Sequence, residues 1–303
     1  MSYAYQSEGV VSEEEGTCMF LAHHLPSDTP VYHYDKRCTI ESLSPQDSVE
    51  DCFVVLKDLP SETLAKLDEQ LNGRCDYSPS LQIVTITMPS HPHEEAASSL
   101  DIMIGVLAKE TKVYRRISNC GSTTIETPDR SKQADRSWEP ARLQRKLPTV
   151  ALEVGFSKAT AKLERDIAWW INESKGEVKL GLTINIKRSG SIEIKSWTPA
   201  FMPLPSHVHI TAHGRPVVDR CISDPPPPRM AQRICITTGR DHDNPTIGGD
   251  LIIPFHALML EQPGESEHDF VLTTEPLLQD LAERVWLAID EASTIMVKNS
   301  NTL

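Results

Sequence analysis

Apolar positions along residues 48–291 recur either every second residue or every three to four, and these two periods predict the elements. After the apolar run DCFVVLKDL comes PSETLAKLDEQLNG. There Ser61 is placed as a helix N-cap, Leu64, Leu67 and Leu71 share one helical face, and Gly73 ends the helix. LQIVTITMPS (81–90) alternates and is β-branched, which predicts a strand. Residues 93–110 carry Leu100, Ile104 and Leu107 at helical offsets. VYRRI (113–117) and STTIE (122–126) read as short strands around a Gly121 turn, and TPDRSKQADRSW as a polar stretch. TVALEVGF (149–156) is apolar almost throughout and predicts a buried strand. A helix follows over 159–173, with Leu163, Ile167, Trp170 and Ile171 on one side. A second strong strand spans 178–186, with a hairpin at Ser189-Gly190 after it.

The remainder is less periodic. HVHITAHG (207–214) reads as a strand, SDPPPPR (223–229) as an extended spacer, and RICITTG and DLIIPFHALML as late strands with a turn of helix. Leu278, Leu281, Val285 and Ile289 predict an amphipathic helix over 275–290. Residues 1–47 have no sustained period and read as a flexible leader with a short strand near 30–33, and 292–303 as a frayed tail. The order helix, strand, strand, strand, helix, strand over 93–186 is the informative part. Two strands separated by a helix fit a right-handed parallel crossover, and the closely spaced strands before them fit antiparallel pairing. The expected class is α/β, with a mixed central sheet flanked by helices.

Glu153 is the one charge in that buried strand, and a buried carboxylate is costly unless something binds it. Asp135, in KQADRSW, lies upstream where a neighbouring strand can bring it close. Two converging carboxylates repel unless a cation sits between them, and an oxygen-preferring divalent ion serves. Asp129 in TPDR competes with Asp135 for that role but has the look of a turn residue. The formal net charge is −13, which argues against a generic phosphate-binding surface without excluding a basic cleft. Seven scattered cysteines without a C-x₂-C pair fit reduced thiols, no run is long and apolar enough to span a bilayer, and the N-terminus lacks a signal-peptide pattern. An intracellular setting, cytoplasmic or nuclear, is the expectation. His207, His209 and His213 share one face of a regular strand, but no fourth zinc ligand is evident.

Several separated segments carry a resemblance: SHPHE (90–94), GSTT (121–124), KQADRSWEP (132–140), PTVALEVGFS (148–157) and KLERDIAWWI (162–171). Their order resembles the PD-(D/E)XK nuclease superfamily, of restriction-endonuclease-like fold. Closer still is a group of uncharacterised, chiefly fungal proteins with an E-V-G-x-S motif. The resemblance covers about residues 80–190 well and extends weakly to 290, implying an αβββαβ core followed by a β-rich extension over 191–291. It implies a possible endonuclease in which magnesium, or manganese, is held by Asp135 and Glu153, with Glu94 as the extra acidic ligand that many members use. The superfamily's lysine stands two residues after the Glu, where this chain has Gly155 on the same strand face. Lys158 and Lys162 on the next helix are the substitutes, with Lys162 preferred, and Lys179 should sit at the far edge of the sheet. A non-catalytic binding or scaffold module that keeps the nuclease fold without the lysine is the alternative, and hydrolysis of another phosphate ester a vaguer third. Nucleic acid is an expected partner of the enzyme but is not supported by the net charge; no membrane partner is expected, and oligomeric state is not legible.

Overall fold

The polar and apolar periods become two large sheets, two two-stranded pairings and the helices that flank them in a computed structural model of the chain. It describes residues 25–35, 49–64, 73–122, 124–128, 130–143, 145–157, 160–200, 208–210, 216–218, 227–238 and 244–300. In chain order come β1 (Val31–His33), β2 (Cys52–Lys57), β3 (Arg74–Ser78), β4 (Ile83–Met88) and helix α1 (His91–Glu110). Next are β5 (Ile117–Asn119), β6 (Thr124–Glu126), β7 (Ser131–Gln133), β8 (Arg136–Pro140) and β9 (Val150–Phe156). Helix α2 (Thr160–Glu173), β10 (Leu180–Ile186), β11 (Ile192–Thr198), β12 (Val208–Ile210), β13 (Pro216–Val218), β14 (Arg229–Thr237) and β15 (Thr246–Ile247) follow. The C-terminal part holds β16 (Leu251–Ile253), helix α3 (Phe255–Met259), β17 (Phe270–Leu272) and helix α4 (Glu283–Ser300).

One sheet has the order β1-β2-β4-β3-β7-β6 and the other β15-β14-β11-β10-β9-β8-β5. In the second sheet β9 pairs parallel with β10 and antiparallel with β8, which in turn pairs antiparallel with β5. With α1 before β5 and α2 between β9 and β10, this is the expected αβββαβ order in a mixed sheet. Every residue of β9 is buried, because helices cover both of its faces. Val150, Leu152, Val154 and Phe156 join Ala97, Leu100 and Ile104 of α1 in the main core, and Ala151 joins Ile167, Trp170 and Ile171 of α2 on the other face. Alternation therefore turns Glu153 toward α2. Among the described residues no helix is long and apolar enough to cross a membrane.

Some elements differ from the sequence expectation. VYRRI is not a strand: Tyr114–Arg116 is a 3₁₀ turn, and β5 begins at Ile117. The Val113 N–H bonds the Ala108 carbonyl at 2.9 Å and the Arg116 N–H bonds the Val113 carbonyl at 2.7 Å, so this segment closes the end of α1 instead of pairing. The polar stretch before Trp138 holds β7 and the start of β8, whose charged side chains find partners inside the fold. The helix expected over 275–290 is a turn at Thr274–Pro276, a π-helical Leu277–Ala282 and then α4, which continues to Ser300. The short strand near residue 31 is β1, paired parallel with β2.

Close packing of α2 depends on Gly181 in β10. A Cβ there would lie 2.8 Å from Ile167 Cγ1 and 3.1 Å from its Cδ1. Gly181→Val is expected to lower unfolding free energy by about 1–3 kcal/mol through overpacking, measured as a lower urea midpoint at unchanged slope.

Candidate functional site

Two residues, Ala134 and Asp135, carry the chain from β7 in one sheet to β8 in the other. That corner brings charges from both sheets together. Asp135 is only 2 % exposed. Its Oδ2 accepts the Val154 N–H at 2.6 Å, and its Oδ1 lies 2.7 Å from Arg74 Nε and 3.0 Å from His93 Nε2. Burial pushes the Asp135 carboxyl up, but the His93 and Arg74 charges overcome this and hold it well below the usual carboxylate range.

His93 stands in the first turn of α1, where a cation opposes the helix dipole. It stays charged because it lies between two buried aspartates. Its Nδ1 is 3.0 Å from Asp51 Oδ2, which also accepts the Phe156 N–H at 2.8 Å. Asp51 Oδ1 accepts the N–H and the hydroxyl of Ser90, each at 2.9 Å, and so closes the start of α1. Burial alone would lower the His93 pKa; Asp135 and Asp51 raise it to about 10.

Glu153, 4 % exposed, takes the Trp170 Nε1–H on Oε1 at 2.6 Å, and the same oxygen lies 3.5 Å from Lys132 Nζ. Burial raises its pKa to about 7; Lys132 opposes that, while Asp166 and Asp135 add to it. Lys132, on β7 and 2 % exposed, lies 3.1 Å from Asp166 Oδ1 and 3.5 Å from Asp76 Oδ2. Burial would lower this amine's pKa, but Asp166, Glu153 and Asp76 drive it far upward, so it remains an ammonium. Arg130 grips both oxygens of Asp76, and Lys162 donates to Asp166 Oδ2 at 2.5 Å.

A cavity of about 20 Å³, enough for one water-sized group, is lined by Arg74, His93, Lys132, Asp135, Glu153 and Lys162 among others. Asp135, Glu153 and Lys162, singled out from sequence, thus meet on one hollow. Glu94 does not line it. Its side chain is 40 % exposed and pairs with Arg74 at 2.7 Å and Arg136 at 3.4 Å, so it reaches Asp135 only through Arg74. Asp129, Lys158, His207, His213 and the His209 side chain lie outside the described residues. Lys179 donates to the Gly176 carbonyl. Sequence reasoning missed Lys132, His93, Arg74, Asp51 and Asp76, while Asp166 is the i, i+4 partner of Lys162 that the helix spacing offers. Lys132 was within reach, since it opens the KQAD segment that carries the resemblance.

Two buried carboxylates facing one cavity fit a magnesium-class ion in donor chemistry. Such an ion takes one or two carboxylates and completes its shell with water and phosphate. No group of three or more His, Cys, Asp and Glu side chains placed to hold a metal occurs among the described residues. The counter-charges that face Asp135 and Glu153 here are Arg74, His93 and Lys132.

No family model matches the chain, and no curated protein matches it either. A solved structure of a DUF820 protein from Anabaena variabilis, provisionally assigned as a nuclease, is similar at 17% identity and a TM-score of 0.31. The match covers 44% of this chain and 82% of that one. Overlap of that extent leaves the chemistry to be argued from the site itself.

The raised His93 pKa has a sign in stability. Its contribution is complete below the unfolded value of 6.5 and is lost as pH rises through about 10. Against His93→Gln, the wild-type advantage in unfolding free energy should narrow across that window, by about 1.4 kcal/mol per pH unit in its middle. Parallel denaturation series at pH 6, 8 and 9.5 check this; a constant difference would mean an uncharged His93.

Proposed function

We propose that the chain is a nuclease-like hydrolase of phosphodiesters that works with magnesium or manganese held by Asp135 and Glu153. The supporting observation is convergence: two carboxylates and the amines of Lys132 and Lys162, drawn from three segments of the chain, line one cavity. When bound, an ion of this class stabilises charge on phosphoryl oxygens and makes a coordinated water more acidic.

The chain's own groups divide the remaining work. Asp135 is ionised throughout the physiological range, a ready oxygen donor. Glu153 titrates near 7, so it carries a proton below that pH and a charge above it. Lys132 is held as an ammonium and cannot take up a proton; it orients anionic oxygens beside Glu153. Its amine lies 3.5 Å from Glu153 Oε1, whereas the Lys162 amine is given to Asp166, so Lys132 is the better stand-in for the lysine that Gly155 replaces. On the Asp135 side, Arg74 is the donor with N–H groups left for phosphoryl oxygens, since both ring nitrogens of His93 face aspartates. Glu94, through Arg74, sets the guanidinium's position.

A second reading rests on charge compensation. Each of Asp51, Asp76, Asp135, Glu153 and Asp166 already faces a cation of the chain. A site so satisfied is also what a non-catalytic module would keep after losing its chemistry, and the net charge of −13 opposes approach of a polyanion.

One set of measurements separates the two. Purified protein with magnesium or manganese is expected to cut single- or double-stranded DNA or RNA, faster at pH 8 than at pH 6 as Glu153 ionises. Asp135→Ala and Glu153→Ala should lower the rate by a factor on the order of 10² to 10⁴ and abolish the calorimetric heat of ion binding. Lys132→Met should cost more than Lys162→Met. Absence of cleavage of every substrate with either ion would leave the binding module, and unchanged ion affinity in Glu153→Ala would move the site elsewhere.

A further inference from the structure

Helix α1 has an outer face that nothing among the described residues covers. Ile102 is 56 % exposed and Val106, one turn on, 48 %. Gly105 lies between them. A groove of about 620 Å³ runs along one side of this ridge, walled by Tyr114, Ile117 and Trp138, and another of about 420 Å³ along the other, walled by Val271, Leu272 and Pro276. A side-chain ridge between grooves is the shape by which one helix packs on another.

Gly105 adds a second, independent indication. A Cβ built there would meet nothing closer than the Tyr114 ring at 3.9 Å, an ordinary contact. Packing within the chain therefore has room for alanine, while glycine weakens the middle of a 20-residue helix. Gly105 thus leaves a gap in the ridge at which a second backbone has room to come close.

The charges along the two grooves say which backbone. In the first, Asp101 lies toward the start of the helix and Lys109 and Arg115 toward its end. In the second the ends are reversed, with Arg284, paired with Glu95 at 2.9 Å, toward the start and Glu110 at the end, and Asp280 lines the groove beside them. A copy of this helix laid antiparallel over Gly105 brings Asp101 against Lys109 of the copy and Glu110 against Arg284 of the copy. We propose that the protein pairs with a second copy of itself through α1, the two helices antiparallel and crossing at Gly105. The contact is isologous, so every favourable pair occurs twice.

Sedimentation of the full chain from about 1 to about 100 µM tests this. Wild type is expected to associate to a dimer. Gly105→Leu, Val106→Glu and Lys109→Glu are each expected to weaken the dimer by about tenfold or more. Met230→Glu, an exposed change on β14, should leave it unaltered. Gly105→Ala guards against misfolding: it should raise Tm while weakening association, opposite signs that a purely internal role for Gly105 would not give. A monomer over the whole range would overturn the proposal. So would a dimer indifferent to Gly105→Leu and Val106→Glu, or one competed away by a different protein bound to this face.

Discussion

The Asp135 carboxylate is the point on which the arrangement turns. It sits at the two-residue corner between the sheets and takes an N–H from β9, the guanidinium of Arg74 from β3 and the imidazolium of His93 from α1. Taking such ions out of water costs several kcal/mol each, and their mutual attraction offsets that only when the set is complete. The cluster therefore contributes little net stability but strongly disfavours any arrangement that leaves one member alone. Asp51 extends the same logic, since one side chain holds His93, the start of α1 and the end of β9. The relative placement of two sheets and a helix is thereby tied to a few buried charges as well as to apolar packing.

What could be read from the chain divides along physical lines. β9, α2, β10 and the β10–β11 hairpin were legible because their burial is nearly complete on one or both faces, and burial imposes a period. The segment around β7 was not. SKQADRSW is polar at almost every position, and its strand character comes from partners remote in sequence: Lys132 against Asp166, Glu153 and Asp76, and Arg136 against Glu94. For the same reason Glu153 and Asp135 could be singled out as charges needing partners, while the partners could not be named. The cation expected between them was a divalent ion, whereas the cations that face them here belong to the chain. That the chain itself supplies three, Lys132, Arg74 and His93, is a property of three-dimensional convergence that no local pattern encodes. Glu94 shows the converse case: it is well placed by motif and stands one guanidinium away from the centre.

Compensation by chain cations leaves the cavity close to charge balance within an acidic protein. The net charge of −13 is that of the whole chain, whereas the cavity collects Arg74, His93, Lys132 and Lys162 against an equal set of acids. Glu153 is the group in balance. With its pKa near 7 it is the one acid there whose charge is not fixed by its neighbours, and its single hydrogen bond from Trp170 is a neutral one. Asp51, Asp76 and Asp166 each accept from a cation of the chain at hydrogen-bond range, and Asp135 lies 2.7 Å from Arg74 Nε.

Helix α1 connects this chemistry to the rest of the molecule. Its first turn supplies His93 to the charge cluster, its inner side supplies Leu100 and Ile104 to the main core, and its outer side carries the Ile102–Gly105–Val106 ridge. A contact made on that ridge bears on the same rigid element that positions His93, some three turns away along the axis. Displacement of the helix along its axis would be opposed at one end by the two aspartates that grip His93 and along its inner side by the β9 side chains beneath it. The outer face is thus presented by a helix anchored through both charge and packing, which keeps the entropic cost of ordering it on binding small.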